Sequence, residues 1–376
     1  MITQLRLNPN LLKVPLYIAG KSVEEVQEEY GLDDVVKLAS NENALGPSPL
    51  ALEAARRVLA DAHRYPGIAD RSLRQRLGPL AHPGFDEHYI ITGNGATDII
   101  RMISQAFIFD GGEMVTCRVT FPMYHICATM FGGEPVLVAP TPDLRFDLQA
   151  IADAIRPNTR LVFICTPNNP TGLICQRGEV EAFMRRVPDH VVVVFDESYR
   201  DFVEDPDYPD PAEYVAAERN VIVIRSFSKS AGLANLRVGY AIARPDLIEY
   251  LCHAQIPFNT GALALVAARA SLDDREYLER NRCLVREERE FLYAALDALD
   301  LAYTRSQANF VMIADLPLEA RLLSEKLIRH GVIVRPMAAW GLPNAIRVTL
   351  GLREQNQRFV SALRVVLDEG NGLGNG

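Results

Sequence analysis

The sequence has no excess of basic residues. Lys and Arg number 39 against 48 Asp and Glu, which leaves a formal net charge of −9. Phosphate backbones are bound by basic faces, so nucleic acid is excluded as the main partner. Long hydrophobic runs are missing too. Stretches such as VVVVF at 191–195 fall far short of the ~20 apolar residues a membrane-crossing helix needs. The opening MITQLRLNPNLLKVPLY has no unbroken apolar stretch followed by a small-residue cleavage site, and it is not expected to serve as a signal peptide. Cysteine is sparse: Cys117, Cys127, Cys165, Cys175, Cys252 and Cys283 are scattered, with no CxxC and no His cluster. That pattern argues against a disulfide framework and against a metal site, and points to core thiols in a reducing compartment such as the cytoplasm. Internal repeats and low-complexity segments are absent.

What remains is ordinary globular composition, 48% hydrophobic and 23% charged, in a chain of 376 residues. That length exceeds what one core usually serves, so two domains are expected. Short apolar runs at 88–92, 114–117, 135–139, 161–165, 191–195 and 221–225 read as buried strands. Helical patterns at 96–107, 124–131 and 177–186 lie between them. Strands alternating with helices predict an α/β fold whose mostly parallel sheet is covered by helices. The remainder reads as a charged helix over 275–299, a strand at 309–314, a helix near 318–330, strands at 332–335 and 345–350, and a final helix at 353–368. The predicted division is an arm over 1–45 that belongs to the small domain, a large ligand-binding domain over 46–270, a small α/β domain over 271–368 and a frayed tail over 369–376.

In parallel sheets ligands bind beyond the carboxyl ends of the strands, so the residues that follow each apolar run carry the functional signal. Asp196 directly follows VVVVF. A lone Asp there would be a turn former, but in DESY (196–199) Tyr199 sits close behind it. A buried carboxylate beneath a pyridine nitrogen keeps that nitrogen protonated, which makes pyridoxal 5'-phosphate (PLP) an electron sink. Lys229 lies in RSFSKSAGLANLRVG (225–239), where Ser226, Ser228 and the Arg237 guanidinium supply phosphate ligands. A lysine with its pKa lowered by burial and positive neighbours is a Schiff-base nucleophile. GNGAT (93–97) opens a helix and offers free N–H groups as a phosphate seat. After the strand at 161–165, TPNNPTG (166–172) brings Asn169 to the sheet edge, and Phe121 is either a ring face for a planar cofactor or a core residue.

These motifs, together with SNENALGPSP (40–49), YPG (65–67) and IRVTLG (346–351), resemble the fold-type I PLP-dependent aminotransferases, and among them the histidinol-phosphate aminotransferase branch. The resemblance runs from about Leu16 to Leu367. It implies that Lys229 bonds the cofactor and shuttles the proton, that Asp196 pairs with the ring nitrogen, and that Asn169 and Tyr199 reach the ring oxygen. Phe121 would stack on the ring. Gly95, Ala96, Thr97, Ser226, Ser228 and Arg237 would seat the phosphate. Tyr65 would reach that phosphate from a second subunit, which implies a homodimer with shared active sites. Arg347 would hold a substrate α-carboxylate, and Tyr17, Asn43 and Arg335 would line the pocket for the substrate side chain. The chain departs from the pattern at Leu16, Ala19 and Val119, where the family usually carries proline.

The function so implied is ping-pong transfer of an amino group from L-histidinol phosphate to 2-oxoglutarate, in histidine biosynthesis. The alternatives are an aminotransferase for aromatic or other amino acids, and a PLP-dependent decarboxylase of the same fold. A non-catalytic module would have no use for both Lys229 and Asp196.

Overall fold

A computed structural model describes residues 6–16, 20–67 and 69–372. Tyr17, expected near the substrate side chain, lies outside the described residues.

The amino-terminal segment contributes one short strand, β1 (Val36–Lys37), before the main sheet begins. Seven strands then form that sheet: β2 (Ile90–Gly93), β3 (Glu113–Cys117), β4 (Glu134–Val138), β5 (Thr159–Cys165), β6 (Val192–Asp196), β7 (Val221–Ser226) and β8 (Gly239–Ile242). Their spatial order is β2-β8-β7-β6-β5-β3-β4. The pairs among β7, β6, β5, β3 and β4 are parallel, and only β8 runs antiparallel to both of its neighbours. Parallel strands covered on both faces must be apolar throughout. In β6 every residue is buried, the terminal carboxylate of Asp196 included. The apolar-run reading located the parallel strands but overlooked β8, whose GYAI is short and begins with glycine.

A second hydrophobic core lies around β9 (Phe310–Ile313), β11 (Arg335–Pro336) and β12 (Ile346–Thr349), an antiparallel sheet in the order β11-β12-β9. Phe310, Leu292, Leu323 and Phe359 are fully buried there, and Tyr199 and Phe202 join them from the segment that follows β6. Close by, β1 pairs in parallel with β10 (Val332–Ile333), which ties the amino-terminal segment to this second core. The last helix, Arg353–Gly372, continues beyond 368, so the stretch expected to fray begins as helix. The Lys326 ammonium pairs with the Glu369 carboxylate at 3.2 Å and fastens that last described stretch. No helix among the described residues is long and apolar enough to cross a membrane.

Candidate active site

Between the two cores lies a cavity of about 380 Å3, at the carboxyl ends of β5, β6 and β7. Its floor is made by Asp196. This carboxylate is 3% exposed and accepts hydrogen bonds from the Tyr124 hydroxyl (2.8 Å), the Ser198 amide (3.0 Å) and the Ser198 hydroxyl (2.6 Å). Burial pushes its pKa up, and the Ser198 and Tyr124 bonds oppose that shift. Tyr124 is held by the Met123–Met130 helix and stacks on Phe163 with ring centroids 4.7 Å apart. Phe121 meets Tyr124 edge-on at 5.7 Å and forms one wall of the cavity, so of its two expected places it takes both: it packs against the large core and faces the cleft.

At one end of the floor is a cradle of donors. The Ala96–Phe107 helix starts there, with Gly95 at its N-cap and no side chain closing its first turn. Gly95 has φ of +79°, and a Cβ there would collide with the Arg237 guanidinium, so only glycine lets the two approach. The Arg237 Nη1 lies 3.5 Å from the Ser228 hydroxyl, and the Ser228 amide donates to the Ser226 hydroxyl at 3.1 Å. Ala96 and Thr97 complete the wall. Amide N–H groups at a helix start, hydroxyls and a guanidinium together make an anion seat.

Lys229 stands between this cradle and the opposite wall. Its Nζ lies 3.3 Å from the Asn41 carbonyl and 3.4 Å from that of Ser40, and 5.6 Å from the centroid of the Tyr199 ring. Burial and then the charge of Arg347 pull its pKa down to about 8, with Arg237 adding to the effect and Glu42 and Asp196 opposing it. A large share of the amine is therefore neutral near pH 8 and available as a nucleophile or base. The Tyr199 hydroxyl accepts from Asn41 Nδ2 at 2.9 Å, and burial raises its own pKa to about 12.

The rim belongs to the second core. β11 and β12 pair so that Arg335 and Arg347 face each other across the strands. Arg347 is 6% exposed and donates to Asn169 Oδ1 and, at 2.9 Å, to the Ala39 carbonyl. The Arg335 guanidinium lies 5.6 Å from the centroid of the Trp340 ring, and Trp340 donates to the Thr120 carbonyl at 2.8 Å. At the mouth, Lys37 pairs with Glu42 at 3.0 Å, and Lys21 with Glu29.

Two expected members stand apart from this cavity. Asn43 does not line it: its amide donates to the Lys229 (3.1 Å) and Ser230 (3.0 Å) carbonyls, behind the lysine, because the NEN turn folds back over that loop. Tyr65 is 77% exposed and stacks on Phe258 at 4.4 Å, away from its own chain's cavity. Conversely, sequence reasoning overlooked Tyr124, Asn41 and Trp340. Tyr124 lies in the same FPMYH stretch as Phe121, and Asn41 in SNEN, so both were within reach of a motif reading; Trp340 carried no such signal.

The Aminotransferase class I and II family model matches residues 33–363. The chain belongs to that family. Histidinol-phosphate aminotransferase of Symbiobacterium thermophilum is 42% identical over 94% of this chain and 96% of its own length. The enzyme of the same name from Moorella thermoacetica is 42% identical over 95% and 92%. Among solved structures, histidinol-phosphate aminotransferase from Sinorhizobium meliloti in complex with pyridoxal-5'-phosphate superposes with a TM-score of 0.88 at 27% identity, covering 97% of this chain and 98% of its own. Aspartate aminotransferase from Thermus thermophilus, in complex with maleate, shares the fold at a TM-score of 0.84 and 22% identity, over 96% of this chain and all of its own.

In this aminotransferase the donor set fits a phosphorylated pyridine. The cradle takes a dianion, the buried Asp196 carboxylate suits a protonated ring nitrogen, Phe121 supplies a flat apolar wall, and the Lys229 amine lies between them. Gly239 adds to the fit, since a Cβ there would stand 2.7 Å from the Ala96 amide nitrogen and crowd the cradle.

Proposed function

We propose that the chain transfers the amino group of L-histidinol phosphate to 2-oxoglutarate in histidine biosynthesis, with PLP carried on Lys229. The observation that carries the substrate reading is the Arg335–Arg347 pair across β11 and β12. It brings two arginines to paired positions at the rim of the cavity that holds Lys229 and the buried Asp196 carboxylate. A transaminase acting on these two substrates must seat an α-carboxylate in one half-reaction and a side-chain phosphate in the other. Arg347, braced by Asn169 and the Ala39 carbonyl, suits the carboxylate; Arg335, farther out on β11 and stacked over Trp340, suits the phosphate. The names of the relatives agree with this reading.

When bound, PLP supplies the electron sink that makes the substrate α-proton removable. The chain's residues do the rest. Thr97, Ser226, Ser228, Arg237 and the helix start at Ala96 anchor the phosphate. Asp196, its charge steadied by Tyr124 and Ser198, holds a proton on the ring nitrogen. Phe121 would lie against the ring as a flat wall, and Asn169 and Tyr199, which line the same cavity, would bind its polar substituent. Lys229 would hold the cofactor and, as a free amine, would carry the proton at the substrate α-carbon.

A homodimer completes this reading. Tyr65, Phe258, Ile256 and Leu59 are all more than half exposed, and Tyr65 of a second copy would reach the phosphate that it cannot reach in its own chain. All six cysteines are unpaired, which supports action in the cytoplasm.

Single-turnover spectroscopy tests the substrate assignment. The cofactor-loaded enzyme is mixed separately with histidinol phosphate, phenylalanine and glutamate, and the conversion of its absorbance is followed. Rapid conversion by histidinol phosphate and by glutamate is expected. Conversion by phenylalanine but not histidinol phosphate would keep the catalytic floor and sink the substrate assignment.

A further inference from the structure

The Arg275–Asp297 helix presents a polar stripe to the interior. Asp274 caps it, and Tyr277 and Asn281 follow on the same face, at the three- and four-residue spacing that lines up one side of a helix. Each of the three reaches a different part of the cleft's back wall. The Asp274 carboxylate accepts from the Ser48 hydroxyl at 2.6 Å. The Tyr277 hydroxyl donates to the Gly46 carbonyl. Asn281, only 1% exposed, donates from Nδ2 to the Ser230 carbonyl at 2.9 Å.

The Ser230 carbonyl is a point of convergence. It also accepts from Asn43 Nδ2 at 3.0 Å, and that same amide reaches the Lys229 carbonyl at 3.1 Å. The Ser230 hydroxyl donates to Asp201, whose own carbonyl accepts from Arg282 Nε at 3.0 Å, one residue after Asn281. The turn that follows is equally tight: Gly232 has φ of +70°, and a Cβ there would overlap the Gly46 carbonyl. The two peptide units at and just after Lys229 are thus held from the 40–48 segment on one side and from the long helix on the other. Apart from Lys229 itself, none of the residues that make these bonds lines the cavity.

We propose that Asn281 is a positioning residue for Lys229: its amide, with that of Asn43, fixes the main chain at 229–230 and so sets where the lysine amine reaches in the cleft. This rests on the role assigned to Lys229 above. Reactions carried by a positioned amine lose rate steeply when the amine is displaced by an ångström, so a small main-chain release is visible in turnover.

The test uses Asn281→Ala and, as a control on the same helix face, Tyr277→Phe, which frees the Gly46 carbonyl but leaves 229–230 gripped. In the cofactor-free chain, competitive acetylation read by mass spectrometry gives the pH midpoint of the Lys229 amine; in the loaded enzyme, kcat and KM are measured. Asn281→Ala is expected to move the midpoint upward from about 8 by about half a pH unit or more, as the amine gains access to water. Its kcat should fall about 10-fold with KM for the oxo acid held, while Tyr277→Phe leaves the midpoint in place. If Asn281→Ala does not fold, Asn281→Ser, a shorter side chain at the same site, carries the same measurement. A wild-type midpoint and kcat in the Asn281 variant overturns the proposal, and so does an equal displacement in Tyr277→Phe, which would mean general loosening of the helix. Turnover that survives in Lys229→Ala would instead sink the function assigned to Lys229, so the two failures are distinct.

Discussion

At the floor of the cleft, Asp196 and Ser226 end adjacent strands of one sheet that is buried on both faces, and Gly95 opens a helix packed on that sheet. The rim is assembled otherwise. Arg335 and Arg347 come from a small antiparallel sheet over a separate core, and Lys37, Asn41 and Glu42 come from a segment tied to that core by β1. The rim is bound to the floor through a few specific bonds: Arg347 to Asn169, Trp340 to Thr120 (2.8 Å) and Asn41 to Tyr199 (2.9 Å). The difference divides the labour. Groups to which the proposed function assigns the chemistry sit where close packing resists displacement, and groups to which it assigns substrate choice sit where a few bonds set their position.

Removing the floor carboxylate should have the largest effect. Asp196→Ala is expected to lower kcat by about 10^3-fold, since it deletes the charge that keeps the ring nitrogen protonated. Stopped-flow turnover with saturating substrates measures it, and a loss under 10-fold would remove Asp196 from its assigned place. On the rim, Arg347→Ala should raise KM for 2-oxoglutarate about 30- to 100-fold, with some loss of kcat because Asn169 loses its partner. Histidinol phosphate has no carboxylate and should be affected far less. Arg335→Ala should show the reverse, and equal losses for both substrates in both variants would erase the division between the two arginines.

The smallest effect concerns stability. The folded pKa of Lys229, about 8, lies below the ordinary lysine value of 10.5, so between those pH values the unfolded chain binds more protons than the folded one. Stability therefore rises with pH across that window, and the cost of this lysine is fully present below it. Cofactor-free Lys229→Met is expected to be more stable than the wild type at pH 7, by about 2 kcal/mol. The gap should close as pH rises from 8 toward 10.5. Urea denaturation at several pH values measures it, and a gap that does not change with pH would contradict the burial assigned to this amine.

The floor was legible because a parallel α/β sheet places its functional residues next in sequence to apolar runs. VVVVF followed by DESY, and the run at 221–225 followed by SFSK, display Asp196 and Lys229 in linear order. Tyr124 escaped because its bond to Asp196 joins two separate strand–helix connections, and no periodicity reports a partner that distant. Asn43 sits inside a correctly noted motif and yet faces the back of the lysine loop, since a turn residue's direction depends on what the turn folds against. The long helix read as a charged helix from its composition, which did not show that Asp274, Tyr277 and Asn281 form a stripe turned inward.

By itself the sequence determined the α/β class, the apolar strands, the lysine and carboxylate that follow them, and the glycine-opened helix beside them. All of these are local consequences of strand ends and helix starts. Only the tertiary structure decided that Arg335 and Arg347 stand side by side, that Asn169 braces Arg347, that Asn281 and Asn43 grip the Lys229 loop, and that Tyr65 points away from its own chain's cavity. Those relations depend on the register of β11 against β12 and on how the second core packs over the first. Both are set by burying apolar surface contributed from distant parts of the chain, and no short stretch of sequence records that.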